Sequence, residues 1–410
     1  MNIAVMGFGT VGSGVYTIVK ENQQILAKKA GEEILIKHVL DLREFPGHPV
    51  EEVLTHQIDD ILQDETVGVV VEVMGGTGAA YTFVKAALEA GKHVVTSNKA
   101  LIAAKGAELM EIARQKNVSL LFEASVGGGI PILRTLNESL VADRIEEIVG
   151  ILNGTTNYIL TEMTQRGAAF DAVLKEAQQL GYAEADPTAD VEGHDACRKI
   201  AILSTLAYGK TVDFEEIYTE GITKITEKDI AYGKMLDCVV KLVGVSRNLA
   251  EGVSAMVYPI LLAKTHPLSG VSGAFNAIFV KGNMLGDTMY YGSGAGSLPT
   301  ASAVLSDVVN VVRQKQHIHI DWDTAGKQEI LPLYEVPTSA LIRIAAKEQA
   351  QAKEMALSLF AGGKIIDLAE ADDEFAVLTG METEASLAEK IQSLKEHYEV
   401  RNRIRTEAAL

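Results

Sequence analysis

Asn2-Ile3-Ala4-Val5-Met6-Gly7-Phe8-Gly9-Thr10-Val11-Gly12 carries a short apolar segment straight into three glycines at Gly-x-Gly-x-x-Gly spacing. The apolar-periodic stretch GVYTIVKENQQIL that follows predicts a helix, so the glycines occupy a strand-to-helix turn. Glycines in that place allow a tight turn, close approach of the backbone to a pyrophosphate, and tight packing of helix on strand. The first N–H groups of the helix and its dipole would then face the phosphates. The spacing alone is weak; its position between a strand and a helix gives it weight.

Outward from this turn, NIAVMG, EILIKHVLD, VGVVVEVMG, KHVVTSN and VSLLFEA alternate with helical stretches such as YTFVKAALEAG and GAELMEIARQK. The alternation predicts an α/β fold, a doubly wound parallel sheet of Rossmann type over residues 1–144. From Ile145 the pattern turns to mixed helices and strands, and an α+β domain is expected over 145–328. A helix near 298–315 is expected to pack back on the first domain. Over 335–410 the segments ALIRIAA, AKEMALSLFAGG, KIIDLAEA, EFAVLTG, EASLAEKIQSLKEH and YEVRNRIRT follow the order β-α-β-β-α-β of a ferredoxin-like unit. The 410 residues suit such a division.

The composition, 47% apolar and 22% charged, is that of a globular chain, and no run approaches the roughly 20 apolar residues of a membrane span. The amino terminus has no basic region before its apolar run, so it reads as a first strand rather than a signal peptide and places the protein in the cytoplasm. Cys197 and Cys238 lack the spacing of a zinc site or disulfide framework and are expected to be reduced and structural. A net charge of −18 repels nucleic acid and anionic lipid, which leaves small molecules and further copies of the chain as expected partners.

Several stretches carry candidate chemistry. Asp41, at the end of the second strand, would hold a ribose 2′-hydroxyl and favour NAD; Arg43 would hold a 2′-phosphate and favour NADP, and the preference stays open. In HVVTSNKALIA a strand runs into Ser97-Asn98-Lys99, with Ser97 or Thr96 placed to cap the next helix and Lys99 at the edge where ligands of such sheets collect. LLFEASVGGGIPI brings Glu123 to a strand end ahead of Gly127, Gly128 and Gly129, a loop that could offer oxygens to a hard cation or let domains approach closely. In LGYAEADPTADVEGHDACRK the acids Glu184, Asp186, Asp190, Glu192 and Asp195 precede a helix on which Asp195 and Lys199 share a face at i,i+4. A surface ion pair would have the same spacing; a lysine beside an apolar stripe could instead exchange the proton that accompanies hydride transfer. NGTTNY, from Asn153 to Tyr158, could hold a polar substrate or simply cap a helix, and YGSGAGSLP, with Gly292, Gly294 and Gly296, could touch the cofactor a second time. His317 and His319 in QHIHID look like one face of a strand, with no third ligand nearby for a metal.

GFGTVGSGV, TSNKALIA, EASVGGGIPI, GILNGTTNYIL, LGYAEADPTADVEGHDACRK and YGSGAGSLPTASAV together resemble the successive signature blocks of the homoserine dehydrogenase family, from Ile3 to about residue 312. The resemblance implies reversible NAD(P)H-dependent reduction of L-aspartate 4-semialdehyde to L-homoserine, in threonine, methionine and isoleucine biosynthesis. It implies Lys199 as proton donor with Lys99 beside the reacting oxygen, and Glu184 and Asp195 binding the substrate's amino group or orienting the lysine. Gly7, Phe8, Gly9, Thr10, Val11, Gly12, Arg43, Ser97, Lys99 and Gly292 would hold NADP or NAD. Glu123 and the carbonyls of Val126, Gly128 and Ile130 would form a sodium site. A homo-oligomer, at least a dimer, is implied as well, and with no kinase-like segment before the fingerprint a monofunctional enzyme is expected. The unit beyond Ala340 is similar to an ACT domain, but its KEQAQAKEM lacks the Pro-Gly turn of that module, which points to association rather than effector binding. A non-catalytic amino-acid sensor on the same fold would not need Lys99, Glu184, Asp195 and Lys199 together.

Overall fold

The computed structural model describes residues 1–314, 316–369 and 371–406. Lys315, expected to end the helix near 298–315, Glu370, and residues 407–410, the end of the expected third unit, lie outside the described residues. Six strands, β1 (Asn2–Met6), β2 (Leu35–Leu40), β3 (Leu54–Thr55), β4 (Val67–Glu72), β5 (His93–Thr96) and β6 (Leu120–Leu121), form one sheet in the order β3-β2-β1-β4-β5-β6. Every pairing in it is parallel. Helices α1 (Thr10–Glu21), α2 (Gln23–Ala30), α3 (Asp59–Leu62), α4 (Gly78–Glu89) and α5 (Lys99–Lys116) connect the strands. Because such crossovers cover both faces, the central strands are apolar runs without alternation. Ile3, Val5, Val69, Val70, Val71, Val94 and Val95 are all buried. The strand order reverses between β1 and β4, and ligands of such sheets bind at the carboxyl ends there. Two helices, α1 and α2, fill the interval between the glycines and β2, which is why Asp41 comes late in the sequence.

The chain continues through β7 (Ile145–Ile151), α6 (Gly154–Arg166), α7 (Phe170–Gln179), α8 (Thr188–Val191) and α9 (His194–Tyr208). Next come β8 (Lys210–Thr211), β9 (Tyr218–Thr219), α10 (Glu227–Met235), and the long strands β10 (Cys238–Leu249), β11 (Gly252–Ala263), β12 (Phe275–Gly282) and β13 (Gly286–Ser293). Helix α11 (Ser297–Gln314) then packs against α1, and β14 (Asp323–Lys327) pairs with β8. The packing is close: a Cβ added to Gly14 would lie 2.6 Å from Ser297 Oγ, and that hydroxyl donates to the Thr10 carbonyl at 2.6 Å.

The last run, β15 (Pro337–Ala345), α12 (Gln349–Leu359), β16 (Lys364–Ile366), β17 (Glu374–Leu378), β18 (Glu382–Thr383), α13 (Glu384–Lys395) and β19 (Glu399–Thr406), does not stand apart. Its strands extend the second sheet, ordered β13-β12-β7-β10-β11-β19-β15-β17-β16, through a parallel pairing of β11 with β19. Residues 316–321, expected as a strand, join no ladder among the described residues; instead His317 Nδ1 lies 2.7 Å from the Val118 carbonyl and the Ile318 amide donates to Ser119 Oγ at 2.9 Å. Among the described residues no helix is long and apolar enough to cross a membrane.

Charge is buried at the seam where β19 joins. Arg405 Nε donates to Glu384 at 2.6 Å and Nη1 to Glu220 at 2.7 Å, with the guanidinium 4.9 Å from the ring centres of both Tyr218 and Tyr258. Removing one partner of a buried pair strands the other without water. Arg405→Met is therefore expected to cost about 3–5 kcal/mol in urea unfolding, and Arg166→Met, at the exposed pair with Glu176, less than about 1 kcal/mol. Equal losses would show that the seam contributes no more than a surface contact.

Candidate active site

The glycine turn adopts the geometry its residues permit. Gly7 has φ +97°, and a Cβ on Gly12 would lie 2.0 Å from the Gly7 carbonyl oxygen, so helix and turn touch through glycine alone. Cβ positions at Gly9, Gly75 and Gly76 face open space, and among the described residues the amino end of α1 has no side-chain cap, which leaves its first amides to an anion. The Phe8 amide donates to Asp41 Oδ2 at 2.7 Å, while the Phe8 ring lies in an edge-on cluster with Tyr16, Phe45 and His48. Arg43 grips the same carboxylate through Nε and Nη2, both at 2.9 Å. Its guanidinium, with the Phe8 amide, holds Asp41 well below the usual carboxylate range. The two residues that compete in the choice of cofactor are thus paired with each other.

Lys99 starts α5, and the helix is capped by Asn98, not by Ser97 or Thr96 as the sequence suggests: Asn98 Oδ1 accepts the Leu101 amide at 3.0 Å. Thr96 is still the last residue of β5, and the Ser97 amide donates to the Glu72 carbonyl at 3.3 Å. Lys99 Nζ reaches across to Asp195 Oδ1 at 2.8 Å. Asp195 lies in the first turn of α9, which leaves α8 through Gly193 at φ +83°. Its other oxygen, Oδ2, meets Lys199 Nζ at 2.8 Å and Asn153 Nδ2 at 3.0 Å. Lys199 Nζ also donates to the Leu152 carbonyl at 2.7 Å.

Asp195 and Lys199 are buried, whereas Lys99 is 41% exposed, so the cluster has a dry side and an open side. Burial alone would raise the Asp195 carboxyl, but the charges of Lys199 and Lys99 and the Asn153 amide outweigh it and hold the group below its ordinary range. Burial pushes Lys199 down, helped by the like charge of Lys99 and opposed by Asp195. A lysine so placed can exchange a proton nearer to neutral pH than a free one.

Asn153 also donates to Asp190 Oδ1 at 2.7 Å, which draws in an acid that the sequence offered only as one of five. Burial pushes Asp190 up, with the Asp195 charge adding. Asn153 caps α6 by accepting the Thr156 amide, and the Gly154 and Thr155 amides donate to no acceptor among the described residues. Glu184 is not in this cluster; it sits on an exposed turn whose main-chain oxygen accepts from Gln178.

The Glu123 loop lies at the junction of the two sheets. Glu123 is buried, its oxygens accepting the Leu133 amide at 2.8 Å and the Arg134 amide at 2.7 Å. Its own amide donates to Asp307 of α11, a carboxyl pushed up to about 7 by burial and by the nearby Glu123 charge. The Ile130 carbonyl accepts the Ile132 amide, while those of Val126 and Gly128, both buried residues, accept no hydrogen bond among the described residues. A Cβ on Gly128 would lie 2.5 Å from Gly294, one on Gly292 would lie 3.2 Å from Ile130, and the Gly129 amide donates to the Ser293 carbonyl at 3.0 Å. The two glycine loops therefore interlock.

A glycine turn of dinucleotide type on a doubly wound sheet, whose Lys99 meets the buried carboxylate and lysine of α9, is the arrangement of a nicotinamide-dependent oxidoreductase. Residues 7–123 match the model for the homoserine dehydrogenase NAD-binding domain, and residues 131–309 match the model for homoserine dehydrogenase. The homoserine dehydrogenase of Bacillus subtilis (strain 168) is 40% identical, covering 97% of this chain and 95% of that protein. A crystal structure of a homoserine dehydrogenase from Thiobacillus denitrificans superposes with a TM-score of 0.91 at 38% identity, covering 99% of this chain and 98% of that one. A hyperthermophilic archaeal homoserine dehydrogenase in complex with NADPH matches at 30% identity and a TM-score of 0.65, over 77% of this chain and 98% of its own. The chain belongs to the homoserine dehydrogenase family, NAD(P)-dependent oxidoreductases of amino-acid biosynthesis that interconvert L-homoserine and L-aspartate 4-semialdehyde.

The cluster sets the sign of a pH effect. Were Lys199 the group that takes the hydroxyl proton, homoserine oxidation would need its neutral amine, and kcat/KM would rise with pH, centred below the lysine reference of about 10.4. Asp195→Asn removes the anion that favours the ammonium and should move that rise to lower pH while slowing the reaction. A pH–rate profile of the variant displaced to higher pH would contradict this assignment.

Proposed function

We propose that Lys199 gives the proton to the aldehyde oxygen during reduction and takes it from the homoserine hydroxyl during oxidation. One observation carries this reading. An ammonium has three N–H donors, and Lys199 uses two of them on the Leu152 carbonyl and Asp195, leaving one for a substrate oxygen. Asp195 orients Lys199, and Lys99 closes on the same carboxylate from the cofactor side, so the reacting oxygen would lie between two lysines. The free Gly154 and Thr155 amides at the start of α6 suit the substrate carboxylate. Asp190 and Asp195, with Glu184 from its exposed turn, suit the ammonium.

The nicotinamide cofactor supplies or accepts the hydride. Gly7, Phe8, Gly9, Thr10, Val11 and Gly12 would hold its pyrophosphate, with Ser97, Lys99 and Gly292 lining the far side; the uncapped α1 and the open space at Gly9 support the fit. Asp41 could take a ribose hydroxyl, and Arg43, 60% exposed, could turn from Asp41 to a 2′-phosphate, so this reading admits both NAD and NADP. Glu123 and the carbonyls of Val126, Gly128 and Ile130 would hold sodium, an all-oxygen set suited to a hard cation that would brace the interlocked loops. The two carbonyls without hydrogen bonds support that fit.

The same reading divides the chain into a cofactor domain over 1–144, a catalytic and dimerisation domain over 145–328, and an ACT-like unit over 335–410 that serves association in an oligomer of at least two chains. The order β19-β15-β17-β16 supports the third assignment. Two buried thiols, Cys197 and Cys238, suit the reducing cytoplasm.

Purified protein should reduce NAD or NADP in the presence of L-homoserine. Lys199→Ala should lower kcat by about 10²–10⁴-fold with cofactor affinity retained. Turnover by the variant at the wild-type rate would remove Lys199 from the proton path.

A further inference from the structure

At the carboxyl edge of the parallel sheet stands an acid that the chemistry above does not use. Glu72, the last residue of β4, is fully buried. Its Oε2 accepts the Thr96 hydroxyl at 2.5 Å and its Oε1 the Met74 amide at 2.9 Å. The Thr96 hydroxyl oxygen accepts the Asn98 amide at 2.9 Å. Asn98 Oδ1 caps α5 while its Nδ2 donates to the Gly76 carbonyl at 2.6 Å. A closed circuit results, running from Glu72 through the Met74–Gly76 turn, Asn98 and Thr96 back to Glu72.

The sheet does not need this circuit, because Val70, Val71 and Glu72 already pair in register with Val94, Val95 and Thr96. Past Thr96 one more backbone bond follows, from the Ser97 amide to the Glu72 carbonyl at 3.3 Å, and the turns that leave β4 and β5 are then joined by the circuit. Gly75 and Gly76 take φ +80° and +69° with open space around them. Lys99, immediately after the circuit, reaches Asp195 at 2.8 Å. A buried carboxyl is costly, and burial pushes Glu72 up. An apolar residue would serve the sheet at lower cost, so the acid must do something an apolar residue cannot.

We propose that Glu72 is a positioning residue for the reaction, binding the Met74–Gly76 and Thr96–Asn98 turns into one frame that fixes where Lys99 meets Asp195. The proposal rests on the reading of Lys99 as part of the active site.

The test is a double-mutant cycle on the full chain. Glu72→Ala, Glu72→Gln and Thr96→Val are each made alone and with Lys99→Ala, and kcat, both KM values, reduced-cofactor Kd by fluorescence, and thermal midpoint are read. Glu72→Ala should lower kcat/KM for homoserine about tenfold or more, and Thr96→Val should act in the same direction. Glu72→Gln, which keeps the shape and can still bond the Met74 amide and Thr96, should stay within roughly threefold of wild type. In the Lys99→Ala background the further loss should shrink to about twofold or less. A folded Glu72→Ala variant with unchanged kcat/KM, or an equal loss in both backgrounds, would overturn the proposal. Should Glu72→Ala not fold, Thr96→Val carries the same criteria. Full activity in Lys99→Ala alone would instead contradict the reading of Lys99 itself, before any double variant is read.

Discussion

The site depends on one buried carboxylate shared between two lysines. Asp195 holds Lys99 at one oxygen and Lys199 at the other, both at 2.8 Å, and the two lysines come from helices on different sheets. A carboxylate out of water is tolerated only where fixed charges and hydrogen bonds replace the water it lost. Asn153 and the two ammonium groups do this, and the Leu152 carbonyl does it for Lys199. The two positive charges would repel one another without the carboxylate between them. Asp195 thus allows a buried Lys199 beside a half-exposed Lys99, and with it the lysine of lowered proton affinity on which the proposed proton transfer rests.

The rest of the architecture brings that carboxylate to that lysine. The parallel sheet delivers Lys99 at the carboxyl edge of β5, and the second sheet, through α8 and Gly193, delivers Asp195. Contact between them is kept by parts that admit no side chain: Gly128 against Gly294, and Gly14 against Ser297. Helix α11 runs back from the second glycine loop to α1, and its Asp307 bonds the Glu123 amide, so one helix touches both the fingerprint and the junction loop. Inside the second sheet the Arg405 pairs hold β19 between β11 and β15, which makes the carboxy-terminal run an extension of that sheet.

Much of this was legible in the sequence where the signal is local. The glycine turn, the alternation that sets the parallel sheet, and Asp195 and Lys199 on one helical face all follow from spacing of a few residues. What was not legible depends on distant contacts. Asn153 joins Asp195 and Asp190 across separations of 42 and 37 residues, so nothing near Asp190 distinguishes it from the neighbouring acids. The sequence offers Ser97 or Thr96 as the cap of α5; Asn98 caps it instead, because Thr96 is still paired in β5 and engaged by Glu72, a contact 24 residues away in sequence. QHIHID has the alternation of a strand, but its polar groups are met sideways by Val118 and Ser119, so no ladder forms. Glu184, which the resemblance gives as binding the substrate's amino group or orienting the lysine, lies on an exposed turn ahead of α8.

The most direct test of the shared carboxylate is a crystal structure of the ternary complex with L-homoserine and oxidised cofactor. The account places the substrate hydroxyl oxygen within hydrogen-bond distance of Lys199 Nζ, with Lys99 and Lys199 still joined through Asp195. A hydroxyl turned away from Lys199, or an Asp195 released from either lysine in the complex, would contradict it.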